Sequence, residues 1–400
     1  MASMETGSQS SAAAPLSAGE RIAAIDVLRG LVIVLMALDH MRDYLHVSGY
    51  GMNPLDPAQT TPLLYATRWV TNFCAPTFVF LSGVSARLQI KRGMSRGQLS
   101  WRLFTRGLWL IVLELTVISF AWAWSMPYMI FLQVIWAIGV SMILLAAFVF
   151  LPRAVVMVVG AAIIIGHGLL GGVDPSSLGP FATVWRICFQ LYLQPDWLFE
   201  SYPLVPWFGI MAFGYGLGSV FVSKERDRTL FLLGAAMILL FLVLRGFNLY
   251  GDPRPWAPQA NFGATVMAFL DVLKYPPSLL FVLATLGPLL LVFPLLTRLP
   301  RAIAGFFRTY GAVPLMAYVA HVYVVHLLGI LGRLAFGQDP SGMSNAVHNF
   351  VFAREAMGGA GLPLWTVYVA WIIVLAAIYP LCRWWAQVKR TRRDWWLSYL

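Results

Sequence analysis

Long uninterrupted runs of apolar residues recur along the chain, and their length indicates the class of protein. A bilayer core about 30 Å thick needs about 20 mostly apolar residues per crossing helix. Because the runs are continuously apolar rather than alternating, they favour helices over the strands of a closed barrel. The pattern predicts an all-α polytopic membrane protein, a bundle of about ten transmembrane helices. The predicted spans are 22–40, 63–88, 106–124, 128–150, 154–171, 204–222, 229–247, 277–297, 310–332 and 364–384.

The composition excludes a soluble fold. Apolar residues make up 59% of the 400 residues and charged residues 11%, whereas soluble domains carry about 25% charged residues. Three cysteines, odd in number and widely spaced, exclude a disulfide framework and a zinc cage. The first stretch is rich in Ser, Ala and Gly. We therefore expect a disordered tail over 1–20, a membrane domain over 21–386 and a basic cytoplasmic tail over 387–400.

The net charge of +11 suggests nucleic-acid binding until the basic residues are placed along the chain. Cytoplasmic connections of membrane proteins are rich in Lys and Arg. Most of the 28 basic residues fall on the side of the predicted bundle that carries both termini. We therefore predict cytoplasmic termini and no nucleic-acid partner. The basic residues on the opposite side are Arg42, Arg68, Arg186, Arg245, Arg254, Lys274, Arg333 and Arg354.

The first predicted span carries the densest set of ionisable residues. Asp39 and Asp43 are four residues apart, and Asp43 is three residues from His40, so a carboxylate is able to hold the His40 ring and support its charged form. His46 follows just beyond. A histidine at a membrane-embedded mouth suits general acid–base chemistry. The alternative is an interfacial salt-bridge cluster that ends the helix.

Other embedded polar groups suggest further roles. His321 and His326 are five residues apart, which places them about 140° apart around a helix. They do not form a chelating pair, and we expect no metal site and a pore-lining or hydrogen-bonded role for at least one ring. Glu114 suits either a proton relay or a structural ion pair with Arg87 or Arg106. Asp26 and Arg29, three residues apart, are expected to meet near the cytoplasmic end.

Three stretches together resemble a known family. They are residues 25–30 (IDVLRG) with 38–43 (LDHMRD), residues 73–83 (FCAPTFVFLSG), and residues 274–279 (KYPPSL) with 314–318 (PLMAY) and the two histidines that follow. Over roughly residues 20 to 385 the chain is similar to the bacterial branch of the heparan-alpha-glucosaminide N-acetyltransferase catalytic-domain family, within the wider transmembrane acyltransferases.

The resemblance implies an integral inner-membrane acetyltransferase. It implies that acetyl-CoA binds on the cytosolic side and that the acetyl group passes to a sugar amine or hydroxyl on the far side. A catalytic histidine shortly after the first helix, with a polar residue at the outer end of that helix, corresponds to His46 and His40. Because the correspondence is gapped after residue 40, either ring is a candidate for the active one.

One mechanism is consistent with both the embedded polar residues and the family resemblance. It uses His46 or His40 as the base or as a transiently acylated group, with Asp39 or Asp43 fixing the ring. The anionic head of CoA needs cationic partners. A transporter or flippase for a lipid-linked or small polar substrate is the alternative function, and a structural membrane protein is a third. The partners expected are the bilayer and a small-molecule, glycan or lipid-linked acceptor. The candidate CoA ligands are Arg29, Arg87, Arg102 and Arg106.

Overall fold

The chain folds almost entirely into α-helices, and the predicted all-α membrane fold is confirmed. A computed structural model describes residues 18–49, 52–357, 361–392 and 394–399. The predicted tail over 1–20 therefore lies mostly outside the described residues. Within the described residues the helices are α1 (Ala18–Leu45), α2 (Pro62–Val70), α3 (Cys74–Lys91), α4 (Arg96–Leu113), α5 (Ser119–Ala123), α6 (Val134–Phe148), α7 (Arg153–Gly166), α8 (Ala182–Phe189), α9 (Leu204–Leu217), α10 (Arg226–Gly246), α11 (Phe262–Leu270), α12 (Leu279–Leu296), α13 (Arg301–Gly311), α14 (Pro314–Ala335), α15 (Ala346–Phe352) and α16 (Leu364–Thr391).

Eight helical segments in the described ranges are long and apolar enough to cross a membrane, so the chain is a multi-pass integral membrane protein. They coincide with eight of the ten predicted spans. Of the other two, 22–40 falls on α1, which is long but rich in charged residues, and 128–150 falls on α6, which has only 15 residues. The eight segments are Pro62–Lys91, Arg96–Ala123, Arg153–Leu170, Leu204–Val222, Arg226–Gly246, Leu279–Leu296, Pro314–Ala335 and Leu364–Thr391.

A small sheet replaces the start of the predicted span 128–150. Strands β1 (Ile130–Leu132), β2 (Tyr192–Gln194) and β3 (Leu198–Glu200) lie in the order β1-β3-β2. β1 runs parallel to β3, and β2 runs antiparallel to β3. The Gln133 N–H at the end of β1 donates to the Glu114 carboxylate (2.7 Å). Because the Gln133 N–H bonds to this side chain, Gln133 lies outside the helix, and α6 begins only at Val134.

The charged first helix lies inside the bundle. α1 packs against α3, α13, α14 and α16, and its residues Ile33, Ala37 and Met41 are buried. At the crossing with α13, a Cβ on Gly30 would collide with the Phe307 carbonyl oxygen. The absence of a side chain therefore lets the two helices approach closely. This position places the polar residues of α1 in the protein interior rather than in lipid.

Glycines on α9 allow the helix to pack closely against its neighbours. A Cβ on Gly214 would meet the Phe80 carbonyl oxygen of α3, and a Cβ on Gly209 would meet the Ile163 side chain of α7. Small residues of this kind let helix backbones approach in a membrane. The glycines of this helix therefore serve helix packing.

Candidate active site

Two adjacent cavities lie inside the bundle around α1. The histidine cavity, about 260 Å³, is lined by Asp39, His40 and Asp43 among others. The basic cavity, about 250 Å³, is lined by four cationic side chains. The side chains that line both cavities are Met36, Phe78 and Val134. The cationic residues of the basic cavity are Arg29, Arg102, Arg106 and Lys389.

The His40 ring is held by a second histidine. His40 Nδ1 lies 2.7 Å from His321 Nε2, and the two rings are nearly coplanar, with an interplanar angle of 16°. His321 is buried in α14, and its Nδ1 lies 3.1 Å from the Ala317 carbonyl oxygen. The expectation that at least one histidine of this helix is hydrogen-bonded is confirmed.

The positions of the hydrogens in the hydrogen bonds that join His40, His321 and Ala317 follow from the carbonyl group at the end of the series. A carbonyl oxygen only accepts, so His321 Nδ1 carries the hydrogen that it donates to Ala317. A neutral His321 then has an accepting Nε2, and His40 Nδ1 must donate to it. Within the described residues, His40 Nε2 has no hydrogen-bond partner. The neutral His40 ring therefore offers a lone pair on Nε2, the arrangement that a general base needs.

The two carboxylates near His40 have cationic partners instead of the histidine ring. Asp39 bonds Arg42 at 2.9 Å and lies 3.9 Å from Arg68, and Asp43 bonds Arg42 at 2.6 Å. Full cations are stronger partners for buried carboxylates than a neutral imidazole. The spacing on α1 brings the carboxylates beside His40 as expected, but the ring contact is made by His321. Asp39 and Asp43 line the cavity as part of an ion-pair network.

His46 lies just after α1 and does not line the histidine cavity. Its Nδ1 accepts from the Ser48 backbone N–H (3.1 Å) and lies 2.9 Å from the Ser48 hydroxyl oxygen. Ser48 also receives a hydrogen bond from Arg42 (3.1 Å). Burial, reinforced by the Arg42 charge, lowers the pKa of His46. These contacts hold the His46 ring in the turn that follows α1.

The opposite wall of the histidine cavity contributes a cation and two phenols. Lys274 and Tyr275 precede α12, and Tyr202 precedes α9. The ammonium of Lys274 lies 5.1 Å from the centre of the Tyr275 ring, within cation–π range. The hydroxyls of Tyr275 and Tyr202 are 3.3 Å apart, and burial raises the pKa of Tyr202. This wall therefore presents neutral phenols beside one ammonium.

The basic cavity collects three of the four arginines that the sequence offers as CoA ligands. Arg29 bonds Asp26 at 2.9 Å, which confirms the predicted pair, and also donates to the Ser85 hydroxyl. Arg102 and Arg106 approach from α4. The Arg106 Nε is buried without a hydrogen-bond partner among the described residues. The cavity therefore presents cationic donors to an anion.

Arg87 and Glu114 lie elsewhere. Arg87 donates to the Ser219 hydroxyl (3.1 Å) and covers the Tyr215 ring, and it lines neither cavity. Glu114 accepts from the Gln133 backbone N–H, and no basic residue in the described ranges pairs with it. Gln133 thus takes the place of the arginine partner expected for Glu114. The described ranges contain no group of three or more His, Cys, Asp or Glu that could hold a metal ion.

Sequence reasoning did not assign several residues of this site. His321 is 281 positions from His40, and only its embedding in an apolar span signalled a role. Lys389 was counted with the cytoplasmic tail, although α16 continues to Thr391 and brings it to the basic cavity. Trp122 and Gln133, which line the histidine cavity, carry no spacing signal. These four residues come together only through the tertiary fold.

Comparison with known families identifies the chain. The family model described as "Heparan-alpha-glucosaminide N-acetyltransferase, catalytic" matches residues 21–250. This match covers more than half of the chain, including His40 on α1 and both Arg102 and Arg106 on α4. No curated protein matches the chain. Residues 274–326, the third stretch of the resemblance, lie beyond the matched part. The chain is a transmembrane, acetyltransferase-like protein, and it belongs to the heparan-alpha-glucosaminide N-acetyltransferase catalytic family.

Proposed function

We propose that this protein transfers an acetyl group from acetyl-CoA, bound in the basic cavity, to an amine or hydroxyl of a sugar bound in the histidine cavity. The observation that carries the proposal is the adjacency of the two cavities. Cations line one, a histidine with an available lone pair lines the other, and Met36, Phe78 and Val134 border both. Acetyl transfer through the protein needs this arrangement.

The basic cavity suits the donor. The head of CoA carries phosphates, and Arg29, Arg102, Arg106 and Lys389 offer charge-assisted hydrogen bonds to them. The apolar residues Leu103, Leu110 and Ile138 line the same cavity and suit the uncharged pantetheine arm. Extended through the layer of shared side chains, that arm brings its thioester beside His40.

His40 is the base in this proposal. Its Nε2 takes the proton from the acceptor amine or hydroxyl as that atom attacks the thioester carbonyl carbon. The carbon–sulfur bond then breaks, and the leaving CoA thiolate takes the proton back from His40. His321 is a positioning residue, because the hydrogen bond that it accepts fixes the tautomer of His40. The Asp39 and Asp43 carboxylates favour the transient imidazolium by their charge.

The side chains that line the histidine cavity suit a sugar as the acetyl acceptor. Lys274, the phenols and the ion-paired carboxylates give its wall several hydrogen-bonding groups, as a polyhydroxylated sugar requires. The family name refers to a glucosaminide, and we extend a sugar acceptor to this chain on that basis. We place the protein in the bacterial plasma membrane, with the basic cavity towards the cytoplasm, in line with the distribution of Lys and Arg.

The test is acetyl-CoA turnover by the purified protein. Incubation with labelled acetyl-CoA and D-glucosamine should release free CoA thiol and give labelled N-acetylated sugar. His40→Ala should abolish both. His46→Ala should retain most of the activity, since His46 lies outside the cavity. The control is His348→Ala, which removes a ring paired with Asp196 at 3.3 Å. Equal activity of His40→Ala and wild type would contradict the proposal.

A membrane lipid extract replaces glucosamine in a second arm of the experiment. Labelled lipid in place of labelled sugar would identify a lipid-linked acceptor and retain His40 as the base. Movement of a polar solute across vesicles without any thiol release would favour the transporter instead.

A further inference from the structure

Two buried hydrogen-bond donors, the Tyr318 hydroxyl and Gln133 Nε2, have no acceptor within the described residues, and the indole N–H of Trp122 has only the Tyr318 side chain within reach. Each of the three residues is at least nine-tenths buried. A buried donor without an acceptor is costly, and such groups in a native protein call for an explanation. Donors of this kind in the walls of the two adjacent cavities indicate a site that a ligand completes.

Their position near His40 separates these donors from the unpartnered indoles elsewhere in the bundle. Trp122 and Gln133 line the histidine cavity, and Tyr318 lines the basic cavity. The centre of the Trp122 ring is 4.8 Å from that of His40, and the Tyr318 ring centre is 6.3 Å from it. The indole nitrogens of Trp207 and Trp385 also lack partners, but these residues line neither cavity.

The backbone positions two of these residues, Gln133 and Tyr318. Gln133 is anchored by the bond from its N–H to Glu114 Oε1 (2.7 Å), and Glu114 begins a π-helical turn over Glu114–Ile118. Single π-helical turns are frequent at functional sites. Tyr318 lies three residues before His321 on α14, so both side chains share one face of that helix. Preorganised donors of this kind stabilise developing charge without reorganising.

We infer that Tyr318, Gln133 and Trp122 bind the acetyl carbonyl oxygen of the donor and stabilise the oxyanion that forms on it. The inference rests on the proposed function. As the acceptor atom bonds to the carbonyl carbon, the electron pair of the C=O double bond moves to oxygen, which accepts hydrogen bonds from these donors. When the C=O bond re-forms, the carbon–sulfur bond breaks and CoA leaves as the thiolate.

Tyr318→Phe tests the inference with the smallest change, because it removes only the hydroxyl. Loss of one oxyanion donor lowers kcat by about 10²- to 10³-fold. We expect a loss of kcat on this scale, with the Kd for CoA and the melting temperature close to those of wild type. Tyr310→Phe is the matched control, since its buried hydroxyl donates to the Leu375 carbonyl (3.0 Å) away from both cavities. This control should keep wild-type kcat.

Gln133→Leu and Trp122→Phe test the other donors and keep the inference testable if one variant fails to fold. Each folded variant should lose kcat more than it loses acetyl-CoA affinity. Wild-type kcat in all the folded variants would overturn the inference, and so would a weaker Kd with unchanged kcat, because a ground-state contact gives that pattern. Absence of thiol release by the wild-type protein would instead contradict the proposed function itself.

Discussion

At the residue scale, the proposed chemistry depends on the contact between His40 and His321. A carboxylate partner would place another buried charge in a membrane-embedded site, where desolvation is costly. The neutral His321 ring accepts the Nδ1 hydrogen without that charge. The sequence offers Asp39, His40 and Asp43 by their spacing on one helix, but α14 brings in the partner of the ring from 281 positions away. Local spacing cannot predict such a contact.

Replacing His321 by Leu should lower kcat by about 10²-fold, the lower end of what a general base contributes. The Leu variant removes the acceptor that fixes the His40 tautomer, whereas Gln keeps an accepting oxygen and should restore part of the rate. Steady-state kinetics with acetyl-CoA measure the change, and its KM should stay near the wild-type value. His326→Gln serves as the control, since His326 bonds the Ala121 carbonyl instead (3.0 Å). Equal rates for the Leu and Gln variants would argue against the tautomer role.

Arg106→Gln should weaken acetyl-CoA binding by about tenfold or more, because charge-assisted hydrogen bonds contribute about 1.5–3 kcal/mol each. Arg106 lines the basic cavity and its Nε has no partner in the described structure. Equilibrium binding of CoA gives the Kd. Arg153→Gln, at the exposed start of α7, is the control. If both variants bind CoA as wild type does, the basic cavity is not the donor site.

At the element scale, the apolar runs predict most of the helices. They do not place the start of α6, because the hydrogen bonds that the backbone N–H groups of Phe131 and Gln133 donate to Ser119 and Glu114 are tertiary contacts. The apolar runs also cannot show that α1 lies at the centre of the bundle. Its charges fit there because Arg29 and Arg42 pair with carboxylates of the same helix.

Gly30→Ala should destabilise the protein by about 1–3 kcal/mol, the usual cost of overpacking a filled interior. The added methyl group would meet the Phe307 carbonyl oxygen where α1 crosses α13. Gly305→Ala on α13 is the matched control, because an added Cβ there has open space. Thermal unfolding in detergent compares the two variants. A melting temperature of Gly30→Ala equal to that of Gly305→Ala would contradict the close approach of these helices.

Glu200 should make stability depend on pH. Burial raises the pKa of this carboxyl to about 8, and an unfolded glutamate has a pKa of about 4.3. The folded state therefore holds more protons between these values, and stability falls as pH rises through that range. Glu200→Gln lacks the ionisation, so the melting temperature of wild type should fall relative to that of the variant from pH 6 to pH 9. Parallel melting curves would contradict the raised pKa.

At the scale of the whole molecule, the placement of the two cavities is the basis of the proposed function. The basic cavity is lined by Lys389, which lies near the end of α16. The histidine cavity adjoins the connections that precede α9 and α12. The distribution of Lys and Arg predicts which end faces the cytoplasm. The sequence could not show that the two cavities adjoin, because the three residues that line both, Met36, Phe78 and Val134, come from three different helices.

The most direct test of transfer through the protein uses sealed vesicles that carry it in one orientation. Acetyl-CoA is supplied only on the side of the basic cavity and D-glucosamine only on the opposite side. We predict N-acetylated sugar on the side of the histidine cavity and free CoA on the other, with neither product formed by His40→Ala. Product formed only when both compounds are on the same side would contradict the account.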